Sequence, residues 1–216
     1  MLKKNKGYIA VTSIITLIPM IAGILLWSRL PETIATHFGT GNVPNGWSGK
    51  AFTVFGLPLF LLAVHLLCIF CTVYDPKRKN LNERIFKLIL LIIPIVSLIC
   101  GVSIYAYALG WDINVEWIAK LFVGVLFMII GNYLPKCRQN YTVGIKLPWT
   151  LDDEDNWNHT HRIAGWTWIL GGLCISVSAF LHLGTGGMIL FFVIMVILIG
   201  IPMGYSFLYY ILHKNR

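Results

Sequence analysis

The sequence predicts an all-α membrane protein built as a bundle of six transmembrane helices. Three observations lead to this fold class: 57% of the 216 residues are hydrophobic, only 12% are charged, and the mean hydropathy is +0.74. A soluble domain of this length cannot bury so much apolar surface in one core, whereas a bilayer solvates it. Because the hydrocarbon layer is about 30 Å thick, a helix needs about 20 apolar residues to cross it.

Six apolar segments meet this requirement. A chain inside lipid must satisfy its own backbone hydrogen bonds, and at this length only helices do so. The first segment follows three lysines but is too long for a signal-peptide core and lacks a small-residue cleavage site before Arg29, so we interpret it as a retained span. The predicted spans are residues 8–27, 51–73, 85–109, 117–134, 163–181 and 188–212.

Lysine and arginine are unevenly distributed between the connecting loops. A cytoplasmic N-terminus places all but three of the 17 basic residues inside and leaves Arg29, Lys50 and Lys120 outside, as the positive-inside rule requires. The net charge of +8 is therefore a topology signal rather than a sign of direct nucleic-acid binding, although it would attract anionic lipid or an acidic partner. The C-terminus is also predicted to be cytoplasmic. The inside set is Lys3, Lys4, Lys6, Lys77, Arg78, Lys79, Arg84, Lys87, Lys136, Arg138, Lys146, Arg162, Lys214 and Arg216.

This topology divides the chain into two predicted regions. Residues 1–80 form a two-span region with a long extracellular loop at residues 30–50, and residues 81–216 form a four-span region with a cytoplasmic loop at residues 135–162. Glycines and prolines in the outer loop predict tight turns rather than a regular element. The outer loop is longer than a helix hairpin needs, so it is either a functional segment or a solvated cap on the bundle. Its apolar and titratable side chains are His37, Phe38 and Trp47.

The cytoplasmic loop is the most polar part of the chain. Pro148 favours an extended backbone at the residue before it. Thr150 is a candidate N-cap, which predicts a helix that starts near Leu151 and continues through Arg162 into the fifth span. The four acids at residues 152–155 would then lie near its first turn and meet the positive end of the helix dipole. Binding of a partner is the alternative explanation of the acidic run.

Two histidines in this loop raise the question of a metal site. His159 and His161 are two residues apart and point in opposite directions from a helix, while Asp155 with His159 provides only two ligands. No metal and no cofactor are therefore expected. Trp157 shares a face with His161, which predicts that the two rings pack as a structural clasp, with Arg162 donating to loop carbonyls or lipid phosphate.

Several other side chains have structural interpretations. Trp149, Trp157, Trp166 and Trp168 are predicted to be interfacial anchors with bonded indole N–H groups. His65, in the second span, is predicted to bond to a neighbouring helix, with a substrate site as the alternative. The pair Cys68 and Cys71 is interpreted as two small side chains on one helix face rather than a redox motif, and no disulfide framework is expected. Gly172 and Ser176 form a small-xxx-small pair that leaves the oligomeric state open.

Two sets of residues carry a family resemblance. The first is Gly131, Asn132, Tyr133, Pro135, Asn140, Gly144, Ile145, Pro148, Trp149, Thr150, Leu151, Trp157, Thr160, His161, Arg162 and Gly165. The second is Pro31, His37, Phe38, Gly41 and Lys50. In order and spacing the first set resembles the signature of the SdpI family of bacterial immunity proteins, and the second resembles the N-terminal domain that often accompanies it.

The resemblance implies a multi-pass protein of the bacterial plasma membrane, not an enzyme, that protects a producing cell from a secreted killing peptide. It further implies a receptor that, on toxin engagement, holds a small DNA-binding autorepressor at the membrane. The outer loop around His37, Phe38 and Trp47 would then sense the peptide. The cytoplasmic segments 75–87 and 136–162 would contact the repressor.

Two other function classes remain open. The first is a transporter for small molecules or peptides, although the spans carry no mid-membrane charge and the halves show no obvious internal repeat. The second is an interfacial membrane enzyme, in which His161, Arg162 and the acidic run would perform acid–base chemistry on a lipid headgroup.

Overall fold

The computed structural model describes residues 2–181 and 183–213, and most of them are helical. Lys214 and Arg216, which the topology prediction counts as cytoplasmic, and the C-terminus itself lie outside the described residues. A wide helical turn at Phe52–Gly56 leads directly into the second long helix. The elements are α1 Leu2–Leu25, β1 Thr33–Phe38, β2 Pro44–Gly49, α2 Leu57–Val73, α3 Glu83–Ala108, α4 Val115–Tyr133, α5 Pro148–Asp152, α6 Glu154–Ser178 and α7 Thr185–His213.

Within these residues, five helical segments are long and apolar enough to cross a membrane. Each overlaps one predicted span, so the prediction of long apolar helices is confirmed for these five, which are candidate membrane spans. The remaining predicted span, residues 163–181, falls mostly in α6. This helix begins with polar residues and is not among the five. The count of six spans therefore stays a prediction. The five segments are Lys4–Leu25, Phe52–Val73, Glu83–Ala108, Val115–Lys136 and Thr185–His213.

The chain folds into two compact units. The first contains Met1–Tyr74 and Glu83–Val115, and the second contains Asp75–Asn82 and Glu116–Arg216. The short segment Asp75–Asn82 therefore folds with α4 to α7, although the chain places it between α2 and α3.

Close backbone approach and buried hydroxyls hold the three long helices of the first unit together. A Cβ added to Gly101 would lie 2.5 Å from the Cβ of Pro19, so α3 meets α1 where neither has a bulky side chain. Ser97 donates to the carbonyl of Thr16 at 2.8 Å. His65 is fully buried and its Nε2 lies 3.1 Å from the Thr12 hydroxyl, which confirms the predicted bond to a neighbouring helix.

The outer loop contains regular structure, so the prediction of tight turns alone is wrong. β1 and β2 pair antiparallel, with Ile34 opposite Ser48, and the register shifts on either side of His37. The physical reason is burial: Ile34 is 1% exposed and packs on Leu30 and Val54 in an apolar cluster. Burial of β1 outweighs the glycine content of β2, a non-local effect that turn signals do not contain.

Polar bonds fix the hairpin at both ends. At its base Lys50 is 8% exposed, and its ammonium group donates to the carbonyl of Leu30 at 3.1 Å and pairs with Glu32 at 2.8 Å. At its tip Asn42 adopts a positive φ of 62°, and its side chain donates to the carbonyl of Ile113 and accepts from the amide of Val115. The hairpin is therefore an anchored element of the first unit.

Glycine contacts join α4 to α6 in the second unit. A Cβ added to Gly131 would lie 2.8 Å from the carbonyl oxygen of Gly165, and one added to Gly172 would lie 2.5 Å from that of Gly124. Ser176 lies on the same face and also approaches Gly124. The small-xxx-small pair of α6 is thus used inside the chain, and we call this contact the glycine seam.

Candidate functional site

The connector between α4 and α6, residues 134–153, contains two helix starts in succession. Leu147 is extended, with φ −111° and ψ 154°, as predicted, and Pro148 opens α5. The predicted cap, Thr150, lies inside α5, and α6 is capped instead by Asp153, whose carboxylate accepts from the amide of Asp155 at 2.8 Å. The predicted start is therefore wrong by three residues, because the sequence carries two adjacent start signals and the chain uses each for a separate helix.

The corrected start changes the place of the acidic run. Asp152 ends α5, and only Glu154 and Asp155 lie in the first turn of α6, where they meet the positive end of its dipole. From Glu154 the helix continues unbroken to Ser178, which confirms the predicted extension through Arg162.

Trp157 and His161 form the centre of the site. Trp157 is fully buried and His161 is 1% exposed. Their rings stack with centroids 4.0 Å apart and planes at 21°, so the predicted packing is confirmed. The indole N–H of Trp157 donates to the carbonyl of Cys137 at 2.8 Å. The interpretation of Trp157 as an interfacial anchor is wrong, because the connector covers it.

Hydrogen bonds define the protonation state of His161. Its Nδ1 lies 2.7 Å from the carbonyl oxygen of Trp157, which only accepts, so Nδ1 carries the proton. Its Nε2 accepts from the amide of Ile145 at 2.9 Å. Burial lowers the pKa of His161 from its usual 6.5 to about 4, against a smaller raising effect of the bond to the Trp157 carbonyl. The imidazole is therefore neutral at pH 7 and has both nitrogens occupied.

Gly144 lets the connector reach this imidazole. Its φ of +126° is one that residues with a Cβ rarely adopt. A Cβ added there would collide with Nε2 of His161 and lie 2.8 Å from Cη2 of Trp157. The following amide, that of Ile145, can donate to His161 only because nothing larger than hydrogen projects from Gly144.

Two buried polar residues shape the chain on the other side of Gly144. Asn140 is fully buried, and its carbonyl oxygen accepts from the amides of Thr142 and Val143 at 2.9 and 2.7 Å. Asp75 is 4% exposed, and its carboxylate accepts from the amide of Tyr141 at 2.9 Å and from the hydroxyl of Thr142. Sequence reasoning placed Asp75 in a partner-binding segment but missed this role. The available signal was an isolated acid just after an apolar helix.

A second polar cluster joins α6 to α7. Asn156 is fully buried, donates to the carbonyl of Ser206 at 3.1 Å and accepts from the hydroxyls of Ser206 and Thr160 at 2.8 and 3.0 Å. The indole of Trp149 donates to the Ser206 hydroxyl at 2.8 Å and stacks on Tyr210. Sequence reasoning found Trp149 and Thr160 but missed Asn156 and Ser206. Their signals were an amide one turn before Thr160 and a lone hydroxyl in an apolar helix.

Other predicted residues lie outside these contacts. Asn132 is exposed and accepts from Lys136 at 3.2 Å. Arg162 is exposed, and within residues 2–181 and 183–213 it donates to no loop carbonyl, so only the alternative of the clasp prediction, donation to lipid phosphate, stays a prediction. The indole N–H of Trp168 donates to the backbone carbonyl of Leu198 at 3.0 Å, whereas the side chain of Trp166 is 67% exposed.

The predicted outer-loop residues belong to the hairpin of the first unit. His37 is exposed, and its Nδ1 forms a hydrogen bond with the side-chain oxygen of Asn45. The ring of Phe38 packs edge-on against that of Tyr107 with centroids 4.8 Å apart, and Trp47 is 60% exposed. The structure therefore presents Trp47 and His37 to the surroundings and uses Phe38 for packing.

The chemistry of the connector is that of a clasp. His161 has no open nitrogen for proton transfer, and burial raises the pKa of the Cys137 thiol to about 11, so this thiol stays protonated at neutral pH. Among the described residues, no group of three or more His, Cys, Asp and Glu side chains is placed to hold a metal ion. The arrangement fixes the backbone of the connector against α6.

Replacing Gly144 with alanine should loosen this clasp. We expect Gly144→Ala to lower the free energy of unfolding by at least about 2 kcal/mol, because it combines an unfavourable φ with a steric collision in a buried site. Thermal unfolding of the purified protein in detergent measures this. Gly204→Ala is the matched control, since a Cβ there has no neighbour within 4 Å and should leave the melting temperature unchanged or slightly higher. Equal melting temperatures for both variants would contradict the assigned geometry.

Stability should also depend on pH through His161. A buried histidine whose pKa is lowered by folding stabilises the protein. This contribution is complete at pH values above 6.5, the pKa in the unfolded chain, and is lost as pH falls toward about 4, the pKa in the folded chain. The loss approaches roughly 3 kcal/mol at the lower end of this window. Melting temperatures of wild type and His161→Asn, measured across this range, should converge as pH falls. A constant difference between the two would show that His161 does not titrate as assigned.

Comparisons with known proteins connect this site to a family. Residues 136–206 match the model of the SdpI/YfhL protein family, and residues 14–62 match a domain of unknown function, DUF1648. The immunity protein SdpI of Bacillus subtilis (strain 168) is 29% identical over 200 residues, which cover 93% of this chain and 91% of the relative. No solved structure matches. The resemblance to the SdpI family is therefore confirmed: a region that begins at residue 136, inside the connector, matches the family's model, within a similarity that extends over nearly the whole chain.

Proposed function

We propose that this chain is an immunity protein of the bacterial plasma membrane that protects its cell from a secreted antimicrobial peptide. The observation that carries the proposal is the 29% identity over 93% of the chain to an immunity protein. The similarity includes the connector and the hairpin, so both candidate surfaces have counterparts in the relative.

We also propose that α6 is a sixth span, with both termini in the cytoplasm. Support comes from its exposed side chains, since Trp166, Leu170, Leu173 and Val177 are 67, 57, 48 and 51% exposed and follow one another at helical spacing. A separate face of the same helix holds the small residues of the glycine seam. A helix with large apolar side chains outside and small ones inside is typical of a membrane bundle.

Cysteine labelling on intact cells tests this topology. Thr185→Cys should react with an impermeant maleimide from outside, whereas Lys146→Cys should react only after the membrane is permeabilised, because the two exposed positions flank α6. The unsubstituted chain supplies the background, since its cysteines lie in long helices or, for Cys137, are buried. Equal labelling of both variants from outside would rule out α6 as a span.

A receptor role is the second candidate, supported by one observation. The two segments predicted to contact a repressor are joined by hydrogen bonds. The side chain of Asn80 donates to the carbonyl of Gln139 at 2.8 Å, and the carboxylate of Asp75 accepts from the amide of Tyr141. Segment 75–82 and the connector therefore offer one surface, which the proposed topology places in the cytoplasm, where a DNA-binding repressor would be held.

Protection from a toxin is the decisive assay. A sensitive bacterium that expresses this chain should survive a dose of a secreted antimicrobial peptide that is lethal to cells with an empty vector. If the hairpin senses the peptide, Trp47→Ala should reduce survival, because a large exposed aromatic is the kind of side chain that anchors a hydrophobic ligand. Val43→Ala is the matched control, as Val43 is 59% exposed in the same hairpin.

Two results would contradict these proposals. Unchanged killing, with the chain detected in the membrane fraction, removes the immunity role toward that peptide. Equal survival of both alanine variants and the wild type removes the hairpin from peptide sensing but leaves immunity standing.

A further inference from the structure

Six basic residues lie on segments of the second unit that hydrogen bonds join to one another. Five of them are exposed, and Lys77 is half-buried. We call this set the basic patch; it comprises Lys77, Arg78, Lys79, Lys136, Arg138 and Lys146.

Specific hydrogen bonds hold the contributing segments together. The side chain of Asn80 donates to the carbonyl of Gln139 at 2.8 Å, and the ammonium of Lys77 donates to the side-chain oxygen of Gln139. The ammonium of Lys146 donates to the carbonyls of Tyr141 and Thr142 at 3.1 and 3.3 Å. The cations are therefore neighbours because the backbone is folded that way.

The acid nearest to the patch in the chain does not neutralise its surface. Asp75 is 4% exposed, and its carboxylate is directed inward to the amides of Lys77 and Tyr141 and the hydroxyl of Thr142. Six cations against this one buried carboxylate leave the outward field of the patch positive, which fits an anionic ligand.

The patch lies where a membrane interface is expected. Lys136 ends the apolar segment Val115–Lys136, and its ammonium lies 5.2 Å from the ring centroid of Tyr133. The ammonium of Lys77 lies 5.6 Å from the ring centroid of Tyr141, which is 45% exposed. Long cationic side chains over tyrosine rings at the end of a span are characteristic of the headgroup layer.

We propose that the basic patch binds anionic phospholipid headgroups, of the phosphatidylglycerol class, in the leaflet at the end of α4. Clusters of four to eight Lys and Arg side chains next to a span attract anionic lipid, and the guanidinium of Arg138 has the geometry to bind phosphate with two hydrogen bonds. Position favours lipid over an acidic protein, because the patch begins at the last residue of an apolar segment. This inference depends on the membrane location and not on immunity.

Lipid-dependent thermal stability of the purified chain in a neutral detergent tests the proposal. Phosphatidylglycerol should raise the melting temperature by at least about 3 °C more than phosphatidylcholine does, since a ligand that binds only the folded state stabilises it. The variant Lys79→Gln/Lys136→Gln/Arg138→Gln should lose this difference. The control variant Lys6→Gln/Arg29→Gln/Arg84→Gln removes three cations outside the patch and should keep it.

Salt provides a test without any substitution. Raising NaCl from about 50 to about 500 mM should suppress the phosphatidylglycerol preference of the wild type, because screening shortens the Debye length several-fold. A patch variant that retains the preference overturns the proposal and leaves an acidic protein as the ligand of the patch. Equal loss in both triple variants also overturns it, because net charge rather than the patch would then be responsible.

Discussion

A neutral imidazole held between two backbone groups organises the connector. His161 donates to the carbonyl one turn earlier in α6 and accepts from the amide of Ile145. A buried amide without an acceptor costs about 1 to 3 kcal/mol, so the chain must deliver Ile145 to this place. This requirement explains why a glycine, Gly144, precedes Ile145 and why the connector covers the ring of Trp157.

The same rule extends outward from this contact. The hydroxyl of Thr150 donates to the carbonyl of Ile145 and accepts from the amide of Leu147, so the residue that binds His161 also sets the start of α5. The carbonyl of Thr150 in turn accepts from Gln139. Each of these connector groups has its partner inside the chain, which makes the connector an ordered surface for binding lipid or protein.

The sequence predicts well those features that depend on neighbouring residues. Apolar length identifies five long apolar helices, Pro148 predicts the extended Leu147, and helical spacing predicts the contact between Trp157 and His161. Each of these follows from local geometry alone, which is why composition and spacing suffice.

Features that depend on distant residues are not predictable in this way. β1 is a strand because Ile34 packs on Val54 and Tyr105, and Asp75 matters because Tyr141, far along the chain, returns to it. Ser206 acquires its role only when Asn156 faces it. The sequence shows that such side chains are polar or apolar, but their partners are set by the tertiary fold.

The glycine seam also bears on self-association. Small-xxx-small motifs often mediate pairing of separate membrane helices, yet here the groove at Gly172 and Ser176 is filled by α4 of the same molecule. A second copy could use that groove only by displacing α4. Any homodimer of this protein must therefore form through another face.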